Sequence, residues 1–211
     1  MDINTNIFDV EKAFDNIMDA MDKIHLNKVT VLTGENASGK SLIRKCVGTH
    51  LQNEYTGSGR IKVCHSSMEQ RTGLHSEMGG GGVFLRDVEW IATSINSIDF
   101  IKRVLNENDR YIILDEPEIG LSESIQYSLA HYLNKVIPEI IKKNLGILII
   151  THSKVLVKAL SICDEFVNIQ GKTYDEWINA EPELIDIEEL SKNSNALLYL
   201  EINKHLRNVK D

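Results

Sequence analysis

The residues of this chain best equipped for chemistry are Gly34-Glu35-Asn36-Ala37-Ser38-Gly39-Lys40-Ser41, with Leu42 beginning the segment that follows. Their spacing is G-x-x-x-x-G-K-[ST]. An apolar run, Val29 to Leu32, precedes them and a helix-forming run, Leu42 to Leu51, follows, which is the strand-loop-helix setting that a phosphate-binding loop requires. Glycines let the backbone curl so that successive N–H groups point at a phosphate, and the positive end of the next helix adds a fixed partial charge. In that setting Lys40 reaches the β- and γ-phosphates and the Ser41 hydroxyl ligates Mg²⁺, so the expected ligand is ATP with Mg²⁺. The plainer reading of the same residues is a glycine-rich turn before a helix.

Two further apolar runs end in chemically capable residues. Tyr111-Ile112-Ile113-Leu114 runs into Asp115-Glu116-Pro117, and Gly146 to Ile150 runs into Thr151-His152-Ser153. Short, continuously apolar runs are the signature of parallel strands buried on both faces, and ligands of such sheets sit beyond the carboxyl ends of the strands. Asp115 is therefore placed to hold Mg²⁺, directly or through water. Glu116 is placed to orient or deprotonate a water in line with the γ-phosphate. His152 is placed to hydrogen-bond the γ-phosphate or that water. Taken singly, the acid pair also reads as a solvated strand end and His152 as a satisfied structural histidine.

Other elements must position these groups. Val10, Phe14, Ile17, Met18, Met21 and Ile24 have helical spacing, so Asp9 to Lys23 is expected to be an amphipathic helix with Asp9 as a candidate cap. Its Phe14, and Phe8 before it, read as core aromatics or, less simply, as stacking partners for a base. Strands are expected at Lys28 to Thr33, Arg60 to Cys64 and, more weakly, Glu165 to Ile169. His65 to Gly82 loses its pattern and ends in four glycines, Gly79 to Gly82, which points to a loop that is disordered or ordered by ligand. Val83 to Leu105 reads as helical, with Ser94 or Ser97 as a candidate cap within it. A long helix is expected from Glu123 to Lys143, interrupted near Pro138, and a short one from Lys154 to Leu160. The tail from Gly171 is acidic to Glu189 and closes with a helical pattern, Asn195 to Arg207. Strands alternating with helices predict an α/β fold, a mainly parallel sheet flanked by helices.

The motifs together carry a family resemblance. Gly34 to Ser41, Ile112 to Pro117, Glu118-Ile119-Gly120-Leu121-Ser122 and Ile150-Thr151-His152 resemble the Walker A, Walker B, D-loop and H-loop of ABC-class P-loop ATPases. Asp-Glu-Pro-Glu-Ile-Gly-Leu is most similar to the SMC, RecF and OLD-like branch, and the likeness covers Lys28 to Ile169. It implies an ABC-type ATPase head in which two copies sandwich ATP head to tail as a switch for a partner protein in nucleic-acid transactions or defence. In that reading Glu116 is the catalytic base, His152 the switch, Gln70 the Q-loop metal contact, and Glu118 to Ser122 the link across the dimer. The Ser-Gly-Gly signature expected before Walker B is absent. Ser94-Ile95-Asn96-Ser97 occupies its region, which leaves Ser94 as a candidate phosphate contact from a helix start. Only 75 positions separate Lys40 from Asp115. That spacing leaves no room for a coiled-coil arm and implies a reduced helical subdomain, a compactness similar to MutS-type heads. The alternative is a nucleotide-dependent binding or scaffold module with negligible hydrolysis. A phosphate-transferring kinase would want an arginine-rich lid, and Arg86 is the only arginine close behind the glycines.

Composition bounds these readings. A chain of 211 residues buries about 70% of its unfolded surface, so the expectation is a single domain, 1–211. Its core would span 28–169, with 1–27 as an N-terminal helix and 170–211 as an acidic extension. A net charge of -8 gives no bulk attraction to phosphodiesters or anionic membranes. Nucleic acid stays a possible partner only through local strips such as Lys102-Arg103, Lys142-Lys143 or Lys154 with Lys158, which solvated helix faces also explain. Cys46, Cys64 and Cys163 have no metal or redox spacing and read as reduced core thiols. The start lacks a signal-peptide pattern and no apolar run reaches about 18 residues, so the expectation is a cytoplasmic protein with no membrane partner.

Overall fold

The computed structural model describes residues 10–35, 38–66 and 93–181. Five parallel strands, β1 (Val29–Thr33), β2 (Val63–Ser66), β3 (Tyr111–Asp115), β4 (Gly146–Ile150) and β5 (Glu165–Asn168), form one sheet in the order β2-β3-β4-β1-β5. The described helices are α1 (Val10–Met21), α2 (Lys40–His50), α3 (Thr93–Leu105), α4 (Glu123–Ile140), α5 (Lys154–Ala159) and α6 (Tyr174–Asn179). This is an α/β fold, a parallel sheet flanked by helices, with the glycine-rich segment lying between β1 and α2.

Alternation along each strand sorts the core into two layers. Val29, Val31, Ile112, Leu114, Ile147 and Ile149 face one cluster with residues of α3, α4, α5 and α6. Leu32, Tyr111, Ile113, Leu148 and Ile150 face the other with residues of α1 and α2. Both faces of β1 and β4 are therefore buried throughout, which is why those runs lack polar alternation. Each such Leu or Ile contributes about 1.5–3 kcal/mol on burial.

Several expected boundaries shift. The second strand starts at Val63 and takes in His65 and Ser66, because its backbone pairs with Tyr111 to Leu114. Pro138 does not interrupt the long helix. It lies in the last turn, and the helix continues to Ile140 before tightening into a 3₁₀ turn at Ile141–Lys143. There one missing N–H costs little against the burial of Leu133 and Ile137. Ser94 and Ser97 stand inside α3, and Ser97 is buried, so neither caps it from outside. Phe14 is exposed because Ile17, Ala20, Met21 and Ile24 take the core-facing stripe of the first helical segment and its exit. Cys46 and Cys64 pack at the edges of the two clusters, whereas Cys163 is exposed, in the turn before β5. The acidic tail opens with α6, capped by a reciprocal box between Thr173 and Glu176. The candidate cap Asp9, Phe8, the run Gly79 to Gly82, the first part of the expected helical run (Val83 to Ala92) and the helical pattern Asn195 to Arg207 lie outside the described residues. Among the described residues, no helix is long and apolar enough to cross a membrane.

Gly146 shows how tightly this sheet is fitted. It pairs with Tyr111, has φ 142°, and a Cβ there would lie 2.5 Å from the Tyr111 ring, which is fully buried. Gly146→Ala is expected to destabilise the protein by about 1–3 kcal/mol, through overpacking and an unfavourable φ. A reduced denaturation midpoint with unchanged slope in urea is the expected reading, and an unchanged midpoint contradicts the fit.

Candidate functional site

The strand register aligns the chemical groups. Leu32 pairs with Ile150 and Ile150 with Asp115, so the ends of β1, β4 and β3 form one row across the sheet. The row is continued by Thr151 N–H donating to the Leu32 carbonyl at 3.0 Å and Glu116 N–H donating to the Ile150 carbonyl at 2.8 Å. Within two residues of that row, β1 enters the glycine-rich loop, β3 delivers Asp115 and Glu116, and β4 delivers Thr151 and His152. Because β4 lies between the other two, His152 leaves the sheet between the loop and the acid pair, across a gap of about 10 Å from β1 to β3.

On the loop side, Gly39 is the N-cap of α2 with φ 107° and no side-chain cap. A Cβ on it would come within 2.4 Å of Ile17 of α1, so this glycine is demanded by both conformation and space. The first amides of α2 to reach a helical carbonyl are those of Leu42 and Ile43, both donating to Gly39 O. The earlier amides of the turn are thus ahead of the helical ladder, the arrangement that receives an anion. Ser41 is exposed, Leu42 is half-buried, and Glu35 is exposed. Lys40 is buried, and its Nζ donates to the carbonyls of Gly34 (3.0 Å) and Glu35 (2.6 Å). Burial pulls its pKa below the ordinary lysine value, while the negative charges of Glu116, Asp115, Glu118 and Glu35 work against that shift. The lysine thus rests on its own loop while three carboxylates from the end of β3 and the turn after it act on its charge.

On the acid side, Arg44 of α2 places Nη1 3.2 Å from Asp115 Oδ2, with both side chains mostly buried. Glu116 has φ 47°, an uncommon conformation for a residue with a Cβ, and its Oε1 lies 3.4 Å from His152 Nε2. Such backbone costs of order 1–3 kcal/mol and is retained where surrounding structure imposes it. Burial and the Lys40 charge hold the His152 pKa below the ordinary value, against Glu116 and Glu118. The imidazole is therefore neutral at pH 7, able to donate from one nitrogen and accept at the other. Glu118 is buried, and its Oε1 accepts the His152 backbone N–H at 2.8 Å.

A further set of bonds ties β5 to the loop. Asn168 Nδ2 donates to Thr33 Oγ1 at 3.0 Å, and its Oδ1 accepts from the amides of Gln170 and Lys172. Lys172 Nζ in turn lies 3.5 Å from Glu35 Oε1.

The residues fit a nucleotide triphosphate through the uncapped start of α2, buried Lys40 and exposed Ser41. Among the described residues, no group of three or more His, Cys, Asp or Glu side chains forms a metal cage. A divalent ion here would draw most of its ligands from phosphates and water, as Mg²⁺ commonly does, with Ser41 and Asp115 as protein donors. The structure brings Gly34, Glu35, Ser38, Gly39, Lys40, Ser41, Asp115, Glu116 and His152 to one edge of the sheet. Asn36, Ala37 and Gln70 lie outside the described residues, and of Ser94 only its backbone position in the first turn of α3 is described. Arg44 and the His152-binding role of Glu118 are additions to the sequence reading. Arg44 was accessible in principle, since it follows Lys40 by four residues and so shares its helix face. Glu118 lies in an irregular turn, where no periodicity reports direction.

No protein-family model matches the sequence, and no curated protein matches it. Among solved structures, the chain is similar to the Aeropyrum pernix ORC2 protein, solved as ADPNP–ADP complexes, with 12% identity, TM-score 0.37, and coverage of 79% of this chain and 48% of that one. It thus spans about half the length of that protein. It is also similar to Saccharomyces cerevisiae RIF2, with 12% identity, TM-score 0.36, and coverage of 92% of this chain and 75% of that one.

Proposed function

We propose that this chain binds and hydrolyses ATP, and that two copies close on the nucleotide as an ABC-type switch for a protein partner. One observation carries the ATPase reading: the register of three neighbouring strands, β1, β4 and β3, which brings Lys40, Asp115, Glu116 and His152, at or just beyond their carboxyl ends, to one edge of the sheet. The uncapped turn before α2 binds the phosphates, and Lys40 leaves the Gly34 and Glu35 carbonyls to meet the β- and γ-oxygens. Bound Mg²⁺ would supply charge neutralisation at the transferring phosphoryl group, held by Ser41 and Asp115. Glu116 takes a proton from, or orients, the attacking water. Neutral His152 beside it hydrogen-bonds the water or the γ-phosphate. The sandwiched dimer and the partner in nucleic-acid transactions or defence are supported by the sequence resemblance alone.

A second reading, a nucleotide-dependent binding module with negligible turnover, is favoured by Arg44 occupying Asp115 and by the missing Ser-Gly-Gly signature. ATP turnover with and without DNA separates the two readings.

Lys40→Ala is expected to weaken ATP binding, measured by titration with a fluorescent analogue. Glu116→Gln is expected to keep that affinity and lose about 100-fold or more in kcat; undiminished turnover removes Glu116 from its assigned role. In Mg-ATP the same variant is expected to double its mass by light scattering, and a monomer would reject the sandwich while leaving the ATPase reading intact. Arg44→Met removes the guanidinium that competes with a cation at Asp115, so half-maximal ATPase activity is expected at lower Mg²⁺ concentration than in wild type. An unchanged Mg²⁺ midpoint would show that the arginine does not compete at Asp115.

A further inference from the structure

Glu118 is a buried acidic side chain beside the sheet edge. It keeps 8% of its surface exposed, and its Oε2 is buried with no hydrogen-bond donor among the described residues. Leaving a buried acceptor unmet costs about 1–3 kcal/mol, and more for a charged one. A buried carboxylate oxygen with no donor among the described residues is uncommon in native interiors and directs attention to what the rest of the side chain does.

Its other oxygen makes a long-range bond. Oε1 accepts the backbone N–H of His152, a residue 34 positions away, at 2.8 Å. Three successive amides beyond β4 are thereby fixed in different ways. Thr151 N–H goes to the Leu32 carbonyl, His152 N–H to Glu118, and Ser153 N–H to Thr151 Oγ1 at 2.9 Å. Of these, only the Glu118 bond joins the segment after β4 to the turn after β3. That turn is itself closed by Ile119 N–H on Glu116 O (3.1 Å) and Leu121 N–H on Glu118 O (3.0 Å), with Gly120 at φ 77°. Glu116 and His152, 3.4 Å apart, therefore ride on two segments that Glu118 pins together.

We infer that Glu118 is a positioning residue of this site, fixing the backbone at His152 so that the imidazole stays against Glu116. The inference rests on the ATPase reading for its catalytic meaning, since it assigns Glu118 no contact with the reacting atoms. Effects of misplacing a group by about 1 Å reach 100-fold in rate, so the loss belongs in kcat rather than in nucleotide affinity.

Three variants of the full chain test it: Glu118→Ala, which removes the acceptor; Glu118→Gln, which keeps an oxygen at the same reach; and Glu118→Asp, which keeps the charge but is one methylene short. Glu118→Ala and Glu118→Asp are expected to lose about tenfold or more in kcat with KM little changed, and Glu118→Gln to recover most of it. Nucleotide-free protein is read separately by hydrogen exchange at the His152 amide, which is expected to speed up in Glu118→Ala and Glu118→Asp and stay slow in Glu118→Gln. Wild-type kcat in Glu118→Asp, a change confined to KM, or a Glu118→Gln no better than Glu118→Asp would overturn the assignment. Should Glu118→Ala fail to fold, the Gln and Asp pair decides. If wild-type protein shows no turnover, the ATPase reading fails by itself, and unaltered His152 exchange in Glu118→Asp is then the result that sinks the positioning role.

Discussion

A lysine ammonium buried at the carboxyl edge of a parallel sheet is the constraint on which the rest depends. Placing Lys40 there is tolerable because two backbone carbonyls accept hydrogen bonds from its ammonium and several carboxylates stand around it. Those carboxylates repel one another and need the cation as much as it needs them. Neither side is held by its own strand alone, since the cation comes from the turn after β1 and most of the anions from beyond β3. The intervening β4 fixes their separation, and the sheet's hydrogen-bond register converts sequence positions into a shared edge.

That edge is rigid because the strands beneath it are closed in on both faces. Sliding β3 by one residue against β4 would turn Ile112 and Leu114 toward the α1 and α2 side and Tyr111 and Ile113 toward α3 and α4. The fit of Gly146 under the Tyr111 ring opposes such a slip from the other end of the same pair. Arg44 contributes in the same sense, since it links the helix that follows the loop directly to Asp115. A charged pair so enclosed depends on geometry, because desolvation offsets much of its attraction.

Much of this is legible in the amino-acid sequence, and the rest has identifiable reasons for being hidden. The buried strands announce themselves as unbroken apolar runs, and the loop as glycines at fixed spacing before Lys40. Their order across the sheet, with β4 inserted between β1 and β3, is a property of long-range pairing that no local pattern carries. Phe14 misleads because helical spacing identifies an apolar stripe without saying how wide a stripe the neighbour covers. Pro138 misleads because the penalty for a proline depends on how many turns remain after it. The box at Thr173 and Glu176 is readable as T-x-x-E, yet the acidic composition around it draws attention to charge rather than to a helix start. Arg44 and Glu118 report their roles through partners far away in the chain, which spacing alone does not expose.

Asn168 reinforces with its side chain a junction that the β1–β5 pairing already makes, since it is the register partner of Thr33. Its amide touches the last residue of the strand feeding the phosphate loop, while its carbonyl oxygen holds the backbone where the C-terminal segment departs, and Lys172 reaches back to Glu35. The end of the strand that feeds the loop, the backbone at residues 170–172 and the Glu35 carboxylate thus share one short chain of polar contacts that lies outside the hydrophobic layers.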